Sequence, residues 1–386
     1  MSIVYTRPGG KGLRDTNKIR QWRFTVLDST VLAGARAVAR SHSKGVLAQV
    51  SDIVRLRLGP TKLGADDYFL YRLWDDAQYP FDAKREFVGW RLSRELDRCL
   101  NDEASRKYAN DKLEFARAMR AAGLATPAIR AVYGERSPGL EGVLSLSDRA
   151  QSAAFLQDPE LYPVFMKPVH GTYGRGGFSA LSWDASAQRI VLGDGSSKSP
   201  EQVAEDFTQA WAHGYIVQEL LQPHPEVVAV LGERLSSLRV IVLLVAGEPR
   251  IFRAVWKLPT GRNMSDNFMH GALGNLIANV DIRSGRIGAA VGMRNGAIEA
   301  VPEHPDTAVA LTDLEVPLWH DVTAYCTAAA KLFPGLRMQH WDIALTPRGP
   351  VALEVNVEGS MDLHQLAAGR GVYDATLKSL QQQRSS

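Results

Sequence analysis

The first hundred residues carry apolar positions at the spacing of amphipathic helices. A run at residues 46–54 places apolar side chains three or four residues apart and ends near the breaker pair Gly59-Pro60. Two further runs, at residues 87–100 and 103–122, repeat this spacing. The pattern therefore predicts a mostly helical region over residues 1–105.

Beyond Pro127 the pattern changes to short runs of β-branched and aromatic residues, which are typical of strands. These runs lie at residues 128–133, 162–166, 178–183, 189–192, 215–217, 227–231, 238–245, 251–256, 341–345 and 351–355. Helical spacing returns near residues 202–212 and 318–332. No glycine fingerprint follows the first strand, so a doubly wound dinucleotide-binding fold is not expected. The predicted fold class is α+β, with hairpins.

Composition places the chain among ordinary globular proteins. It has 386 residues, of which 45% are hydrophobic and 23% charged, and its length suggests two or three domains. No stretch reaches the roughly 18 apolar residues of a membrane span, and the start lacks the apolar core of a secretory signal. The only two cysteines, Cys99 and Cys326, are expected to be reduced. These features predict a cytoplasmic protein.

Charge is unevenly distributed along the chain. Residues 1–62 hold 12 Lys or Arg against three acids, a net charge of +9, whereas the remaining residues carry a net charge of −6. One interpretation is a peripheral contact between residues 1–62 and an anionic membrane surface, a nucleic acid or an acidic partner. The other is a set of solvated helix faces, because the basic residues alternate with apolar ones.

A cluster of oxygen ligands is expected near the end of the strand-rich region. Asp342 lies in one apolar run, Glu354 and Asn356 lie in the next, and Gly349-Pro350 between them predicts a hairpin. Strand alternation puts Glu354 and Asn356 on one face. Two carboxylates and an amide suit Mg²⁺, which usually takes one or two carboxylates together with substrate phosphates. The alternative is a strand with an exposed polar face.

A glycine-rich segment follows a short apolar run that ends in Lys167. The backbone N–H groups of such a segment can converge on an anion, although a plain hairpin turn is the alternative. It is not a Walker loop, because Phe178 stands where that motif requires Lys. A lysine inside an apolar strand favours the anion-binding interpretation. The candidate loop residues are Gly171, Thr172, Gly174, Arg175, Gly176 and Gly177.

A third segment combines an apolar strand with a proline-bound turn. Its backbone could bind adenine, and Glu226, seven residues after Glu219, could bind the ribose hydroxyls. A core strand followed by a loop is the alternative interpretation. The candidate residues are Glu219, Leu220, Leu221, His224 and Glu226.

Three cationic residues lie in apolar strand runs. Arg239 enters one run, and Arg253 and Lys257 lie four residues apart on the next, so they share a face. Charged groups in such surroundings need anionic partners, which a triphosphate and a transferred phosphoryl group would supply. A solvated sheet face is the alternative.

Taken in order, these motifs resemble the ATP-grasp superfamily over residues 108–360. Lys112, near the start of a predicted helix, resembles the first nucleotide lysine of that superfamily, and Lys167 resembles the second. The glycine-rich segment resembles its flexible phosphate loop, and the segment from Glu219 to Leu221 resembles its adenine hinge. The three residues that resemble its magnesium ligands are Asp342, Glu354 and Asn356.

A narrower likeness is to the sugar-transfer-associated ATP-grasp proteins, found near bacterial polysaccharide genes. It includes His224-Pro225, which makes His224 an alternative to Glu226 at the ribose, and Asp266-Asn267. One position departs from ligases related to D-alanine–D-alanine ligase, which carry Arg two residues before the metal Asp. Here that residue is His340, so either Arg239 takes over the oxyanion role or the transferred group differs.

The resemblance implies an ATP-grasp fold with three regions, residues 1–105, 106–215 and 216–386. It implies ATP and Mg²⁺, and a carboxylate–amine ligase that forms an acyl phosphate, in polysaccharide or natural-product modification. Its catalytic cations would be Arg239, Arg253 and Lys257. The substrates would be a small molecule or glycan with a carboxylate and an amine acceptor, and no nucleic acid is expected. The alternatives are a sugar or glycan kinase, a non-catalytic nucleotide-binding protein and a membrane-surface scaffold that acts through residues 1–62.

Overall fold

The computed structural model describes residues 29–134, 139–170, 176–210, 214–261, 263, 265–294 and 297–382. Within these ranges the helices are α1 (Ser29–Ser41), α2 (Val46–Leu58), α3 (Ala65–Leu70), α4 (Phe81–Lys84), α5 (Trp90–Leu100), α6 (Glu103–Asn110), α7 (Lys112–Ala121), α8 (Arg149–Phe155), α9 (Pro200–Ala210), α10 (Pro225–Leu231), α11 (Trp319–Ala330), α12 (Asp362–Ala368) and α13 (Ala375–Gln382). The strands are β1 (Ile129–Tyr133), β2 (Leu144–Leu146), β3 (Val164–Pro168), β4 (Phe178–Asp184), β5 (Arg189–Leu192), β6 (Ser197–Lys198), β7 (Tyr215–Glu219), β8 (Ser237–Val245), β9 (Glu248–Leu258), β10 (Leu276–Val280), β11 (Ile287–Arg294), β12 (Ala297–Ala300), β13 (Met338–Thr346) and β14 (Gly349–Asn356). This content confirms the predicted α+β class.

The chain divides into two compact units. The first comprises Met1–Cys99, Val291–Ala300 and Ser360–Ser386, and the second comprises Leu100–Ala290 and Val301–Gly359. The three regions expected from the sequence stay a prediction, and their boundary after residue 215 falls inside β7. In the described part of the chain, no helix is both long and apolar enough to cross a bilayer.

The first unit is built largely from helices, as the periodicity of its apolar residues predicts. The inner face of α2 buries Ile53 and Leu56, and that of α5 buries Leu92 and Leu96. The helical N-terminal region is thus confirmed from Ser29 onward, while residues 1–28 lie outside the described residues.

A network of four charges lies inside the first unit. The Nζ atom of Lys44 is 2.6 Å from Asp52 Oδ2 and 2.6 Å from Asp76 Oδ1. Lys84, only 1% exposed, donates to the same two carboxylates and lies 2.8 Å from Asp52 Oδ2. Two lysines therefore pair with two aspartates, of which Asp52 is largely buried and Asp76 is 62% exposed. The buried charges of the network are thus neutralised.

The first sheet of the second unit has the strand order β2-β1-β7-β3-β4-β5-β6. β3 and β4 are antiparallel neighbours, so the glycine-rich segment connects two adjacent strands. Val164, Met166 and Val217 point into a core that α9 closes with Phe207. Because side chains alternate along β3, Lys167 points to the opposite face of the sheet from Met166.

A single helix predicted over residues 103–122 is in fact two, α6 and α7. Asp111 interrupts the run with an extended backbone, and its carboxylate accepts hydrogen bonds from Leu113 N and Glu114 N at 2.9 and 3.2 Å. A side-chain acceptor of this kind is a strong helix N-cap, so it starts a new helix. Lys112 thereby becomes the first residue of α7.

The predicted strand at residues 227–231 is wrong, because this segment is helix α10. His224 caps the helix, Pro225 occupies its first position, and Gly232 ends it with a φ of 78°. These signals outweigh the β-propensity of the valines in the segment.

The second sheet places apolar and polar residues on opposite faces. In the second unit its strands are neighbours in the order β10-β9-β8-β13-β14, and all these pairs are antiparallel. One face buries Val240, Trp256 and Trp341 in a core that α7 and α11 also line. The other face therefore receives the intervening side chains of each strand, which include the charged ones.

Candidate functional site

The polar face of the second sheet assembles the charged residues that the sequence spreads over more than a hundred positions. Asp342 on β13 lies opposite Arg239 on β8 and, on its other side, opposite Glu354 on β14. The register therefore confirms the predicted hairpin and places the two carboxylates on one face. Asn356 lies opposite His340 in the same ladder.

Arg239 and Asp342 form a two-pronged ion pair. Arg239 Nε donates to Asp342 Oδ1 at 2.6 Å, and Nη2 donates to Oδ2 at 2.9 Å. Burial alone would raise the pKa of Asp342, but the charges of Arg239 and Lys257 lower it to about 2. Burial would likewise lower the pKa of Arg239, and Asp342 outweighs that effect and raises it. Both side chains are therefore charged at neutral pH.

Lys257 lies between two acids on the same face. Its buried Nζ is 3.5 Å from Asp342 Oδ1 and 3.1 Å from Asp266 Oδ1. Asp266 Oδ2 accepts hydrogen bonds from the backbone and hydroxyl of Ser237, at 2.8 and 2.6 Å. Asp266 thus fixes the Lys257 ammonium beside Asp342. The sequence placed Asp266 only within a family likeness, and its one signal was a carboxylate between two apolar strands.

The third candidate cation, Arg253, has different neighbours on β9. Its Nη1 donates to the carbonyl of Phe252 at 2.7 Å, and its guanidinium lies 4.0 Å from the centre of the Phe252 ring. These contacts hold the side chain along its own strand.

The candidate metal ligands offer two carboxylates and one amide. Asn356 Nδ2 donates to Asp342 Oδ2 at 3.4 Å, so this amide already points at the carboxylate. Turning the amide end group would present Oδ1 instead, because the two amide atoms occupy equivalent positions. Among the described residues no group of three or more His, Cys, Asp or Glu side chains is placed to hold a metal. The donor set nevertheless fits a hard cation that also takes phosphate and water oxygens.

Lys167 on β3 of the first sheet and Lys112 on α7 are both influenced by the Glu354 carboxylate. Burial lowers the pKa of Lys112, whose Nζ lies 3.3 Å from the carbonyl of Val169, while Glu354 opposes that shift. Burial and the like charge of Lys112 lower the pKa of Lys167 to about 8, and Glu354 again acts in the opposite direction. The Glu354 carboxylate thus acts on both lysines, and Lys112 acts on Lys167. Two neighbouring ammonium groups form a strong binding site for a polyanion.

Part of the glycine-rich segment lies outside the described residues, namely Gly171, Thr172, Gly174 and Arg175. The described end begins at Gly176, whose φ of 75° is in the region that favours glycine. Tyr215 on β7 donates its hydroxyl to the carbonyl of Gly176, which ties this end to the sheet. Gly177 then leads directly into β4.

The candidate hinge connects β7 to the second sheet. Glu219 Oε1 accepts from Ala128 N at 2.8 Å and from Arg348 Nη2 at 2.7 Å, so its carboxylate ties β7 to both neighbours. Leu221 is buried against the second sheet, and Leu220 is partly exposed. These contacts hold the backbone in place between the two sheets.

The two candidate ribose ligands lie at the start of α10. His224 donates its backbone N–H to the carbonyl of Leu345 at 2.9 Å. Its Nδ1 lies 3.3 Å from the backbone N of Glu226, in the position of a helix cap. The Glu226 side chain is exposed at this helix start.

His340, at the position where related ligases carry Arg, is fully buried. The backbone of Gly359 covers its ring so closely that a Cβ on that glycine would lie 2.1 Å from His340 Cγ. The imidazole is therefore packed against the backbone of the loop after Asn356.

A family model described as sugar-transfer-associated ATP-grasp matches residues 91–382. No curated protein sequence matches the chain significantly. Several solved structures are similar to it at low identity. An L-amino acid ligase from Bacillus licheniformis is 12% identical, with a TM-score of 0.37, and the match covers 72% of this chain and 48% of the ligase.

The VanG D-Ala:D-Ser ligase from Enterococcus faecalis is 13% identical, with a TM-score of 0.40, and the match covers 74% of this chain and 64% of the ligase. A biotin carboxylase from Campylobacter jejuni, solved with β,γ-ATP, is 12% identical, with a TM-score of 0.42, and the match covers 72% of this chain and 47% of the carboxylase. The chain thus spans about half the length of the first of these structures.

Proposed function

The chain belongs to the sugar-transfer-associated ATP-grasp family, and on that premise we propose that it is an ATP- and Mg²⁺-dependent carboxylate–amine ligase. The observation that carries the proposal is the convergence of Lys112, Lys167 and Glu354 in one electrostatic environment. The like charge of Lys112 lowers the pKa of Lys167, so an anion between the two lysines would be favourable, and a triphosphate supplies several negative charges.

The nucleotide would lie between the two sheets of the second unit. Lys112 and Lys167 would bind its α- and β-phosphates, and the glycine-rich segment would cover them with backbone N–H groups. The backbone from Glu219 to Leu221 would bind the adenine. His224 or Glu226 would bind the ribose hydroxyls. The position of His224 at the start of α10 favours a structural contribution from its Nδ1, which leaves Nε2 for a hydroxyl.

The metal ligands would be Asp342, Glu354 and Asn356. Bound there, Mg²⁺ would neutralise phosphate charge and polarise the phosphoryl oxygens. The ion pair with Arg239 keeps Asp342 ionised, with a pKa of about 2, so this ligand needs no proton loss before it binds a cation.

The reaction would proceed in two steps. First, an oxygen of the substrate carboxylate attacks the γ-phosphorus of ATP, the bond to the β-phosphate oxygen breaks, and acyl phosphate and ADP form. Then the amine attacks the acyl carbon, phosphate leaves with the electron pair of the broken C–O bond, and the amine loses a proton as the amide forms. The chain would contribute positioning and charge, and Lys257 and Arg239, which both contact Asp342, would stabilise the negative charge that develops. Arg253, on the same strand face as Lys257, would assist in binding an anionic substrate.

The reaction would serve polysaccharide or natural-product modification, and the family's description as sugar-transfer-associated favours the first. The buried His340 supports a difference from ligases that carry an arginine at this position, because the imidazole is covered by Gly359. Arg239 is then the nearest cation on the same strand ladder to take the oxyanion role.

The decisive experiment incubates the purified protein with ATP, Mg²⁺ and pools of amino acids and sugars, and measures ADP and phosphate separately. Ligation releases equal amounts of both products, whereas a kinase releases ADP alone. Glu354→Gln should abolish release of both while the fold stays intact, and Glu303→Gln, at an exposed glutamate of the same unit, should not. ADP without phosphate, or turnover by Glu354→Gln at saturating Mg²⁺, would contradict the proposal.

A further inference from the structure

Helix α2 exposes two leucines almost completely. Leu47 is 86% exposed and Leu58 is 83% exposed, in a helix whose inner face is fully buried. Eleven residues separate them, which at about 100° per residue places them within about 20° of each other around the helix and about 16 Å apart along it. They therefore belong to one face.

Ser51 and Val54 complete this face, which we call the α2 stripe (Leu47, Ser51, Val54 and Leu58). Ser51 is exposed and Val54 partly exposed, and both lie within about 40° of Leu47 around the helix axis. The buried residues of α2 lie on the opposite side, where they pack into the first unit. They are Gln49, Asp52, Ile53 and Leu56. The stripe is therefore an apolar surface that the helix does not use to hold its own unit together.

The outward-facing charges of α1 and α2 are all positive. Arg55 and Arg57 lie about 80° to either side of Leu47, so they border the stripe on both sides. The neighbouring helix α1 adds the exposed Arg36 and Arg40. The one acid of the two helices, Asp52, is turned inward and paired with Lys44 and Lys84. No negative charge of α1 or α2 therefore faces outward among their described residues.

We propose that the α2 stripe docks on the surface of an anionic lipid bilayer. Leu47 and Leu58 would enter the boundary between headgroups and acyl chains, and the flanking arginines would extend toward the phosphates. A second copy of the chain is disfavoured as the occupant, because pairing two stripes would bring the arginines of both copies together. The proposal is independent of the ATP-grasp activity, and its test uses no nucleotide.

The test is co-sedimentation of the full chain with vesicles of phosphatidylcholine alone and of phosphatidylcholine with phosphatidylglycerol. We expect binding to the anionic vesicles that weakens as salt rises, because charge screening shortens the attraction. Leu47→Asp combined with Leu58→Asp should weaken this binding at least tenfold. The matched control combines Leu144→Asp with Leu181→Asp, at leucines 54% and 43% exposed in the second unit, and should bind like the wild type.

The results distinguish a lipid bilayer from a second copy of the chain as the partner of the α2 stripe. Circular dichroism must first show that both double variants unfold at the wild-type temperature, and Arg36→Gln with Arg40→Gln provides a second, milder perturbation that should also reduce binding. Absence of wild-type binding to anionic vesicles, equal binding to neutral ones, or unchanged binding by the Leu47/Leu58 variant would overturn the proposal. A dimer in sedimentation velocity that only this variant loses, without vesicle binding, would overturn it in favour of a second copy.

Discussion

Nucleotide binding should be coupled to the protonation of Lys167. Burial and the neighbouring Lys112 lower the pKa of Lys167 from 10.5 to about 8, a difference of about 3 kcal/mol in the free energy of charging this lysine. Phosphate oxygens against the ammonium should restore the ordinary value. In the free protein at pH 9 about nine lysines in ten would be neutral, whereas in the complex nearly all would be charged. Binding at pH 9 should therefore take up about 0.9 proton, against about 0.5 at pH 8.

The sign of the effect follows from the lowered pKa. Well below pH 8 the lysine is protonated in both states, so binding takes up no proton and the affinity is at its plateau. As pH rises from 8 toward 10.5, the free protein must gain a proton to bind, and the affinity falls about fivefold between pH 8 and 9. The nucleotide contributes little, because phosphate groups lose their last proton near pH 6.

Calorimetry of ATP binding, in pairs of buffers with different ionisation enthalpies, measures the number of protons taken up. Lys167→Arg should bind without proton uptake, because guanidinium stays charged at every pH used. Lys167→Met should weaken ATP binding at least about tenfold at pH 7. The control Lys331→Met, at an exposed lysine, should change neither the affinity nor the proton uptake. Tight ATP binding by the wild type with no proton uptake at pH 9 would refute the placement of Lys167 at the phosphates.

Three further predictions concern stability. Arg239→Met should cost about 3 kcal/mol in urea unfolding at pH 7 because it leaves Asp342 buried beside Lys257 alone, and adding Asp342→Leu should recover most of that loss. Lys84→Met should cost about 2 kcal/mol, because it leaves the buried Asp52 carboxylate paired with Lys44 alone, and a change under about 0.5 kcal/mol would show that the network contributes little. Gly359→Ala should lower the melting temperature through its clash with the His340 ring, and His340→Ala in the same chain should restore it; no rescue would mean that other contacts limit this loop.

The sequence alone determined the features that depend on local periodicity. Alternation along two apolar runs, with a Gly-Pro turn between them, was enough to predict the β13–β14 hairpin and the shared face of Glu354 and Asn356. The order of the motifs was enough to identify the family. Helix starts were harder to predict, because a cap is a single side chain that overrides the pattern around it. Asp111 divided one predicted helix, and His224-Pro225 turned a predicted strand into α10.

Which charged residues contact one another depends on how the strands and helices pack. Arg239 and Asp342 are 103 positions apart in sequence, and their ion pair depends on the register between β8 and β13. Asp266 reaches Lys257 from the segment between β9 and β10, a contact that no spacing rule predicts. The lowered pKa of Lys167 likewise requires Lys112 nearby and burial between packed elements. Ion pairs and shifted pKa values depend on short distances between charged groups and on their removal from water, and both arise only once the sheets have packed.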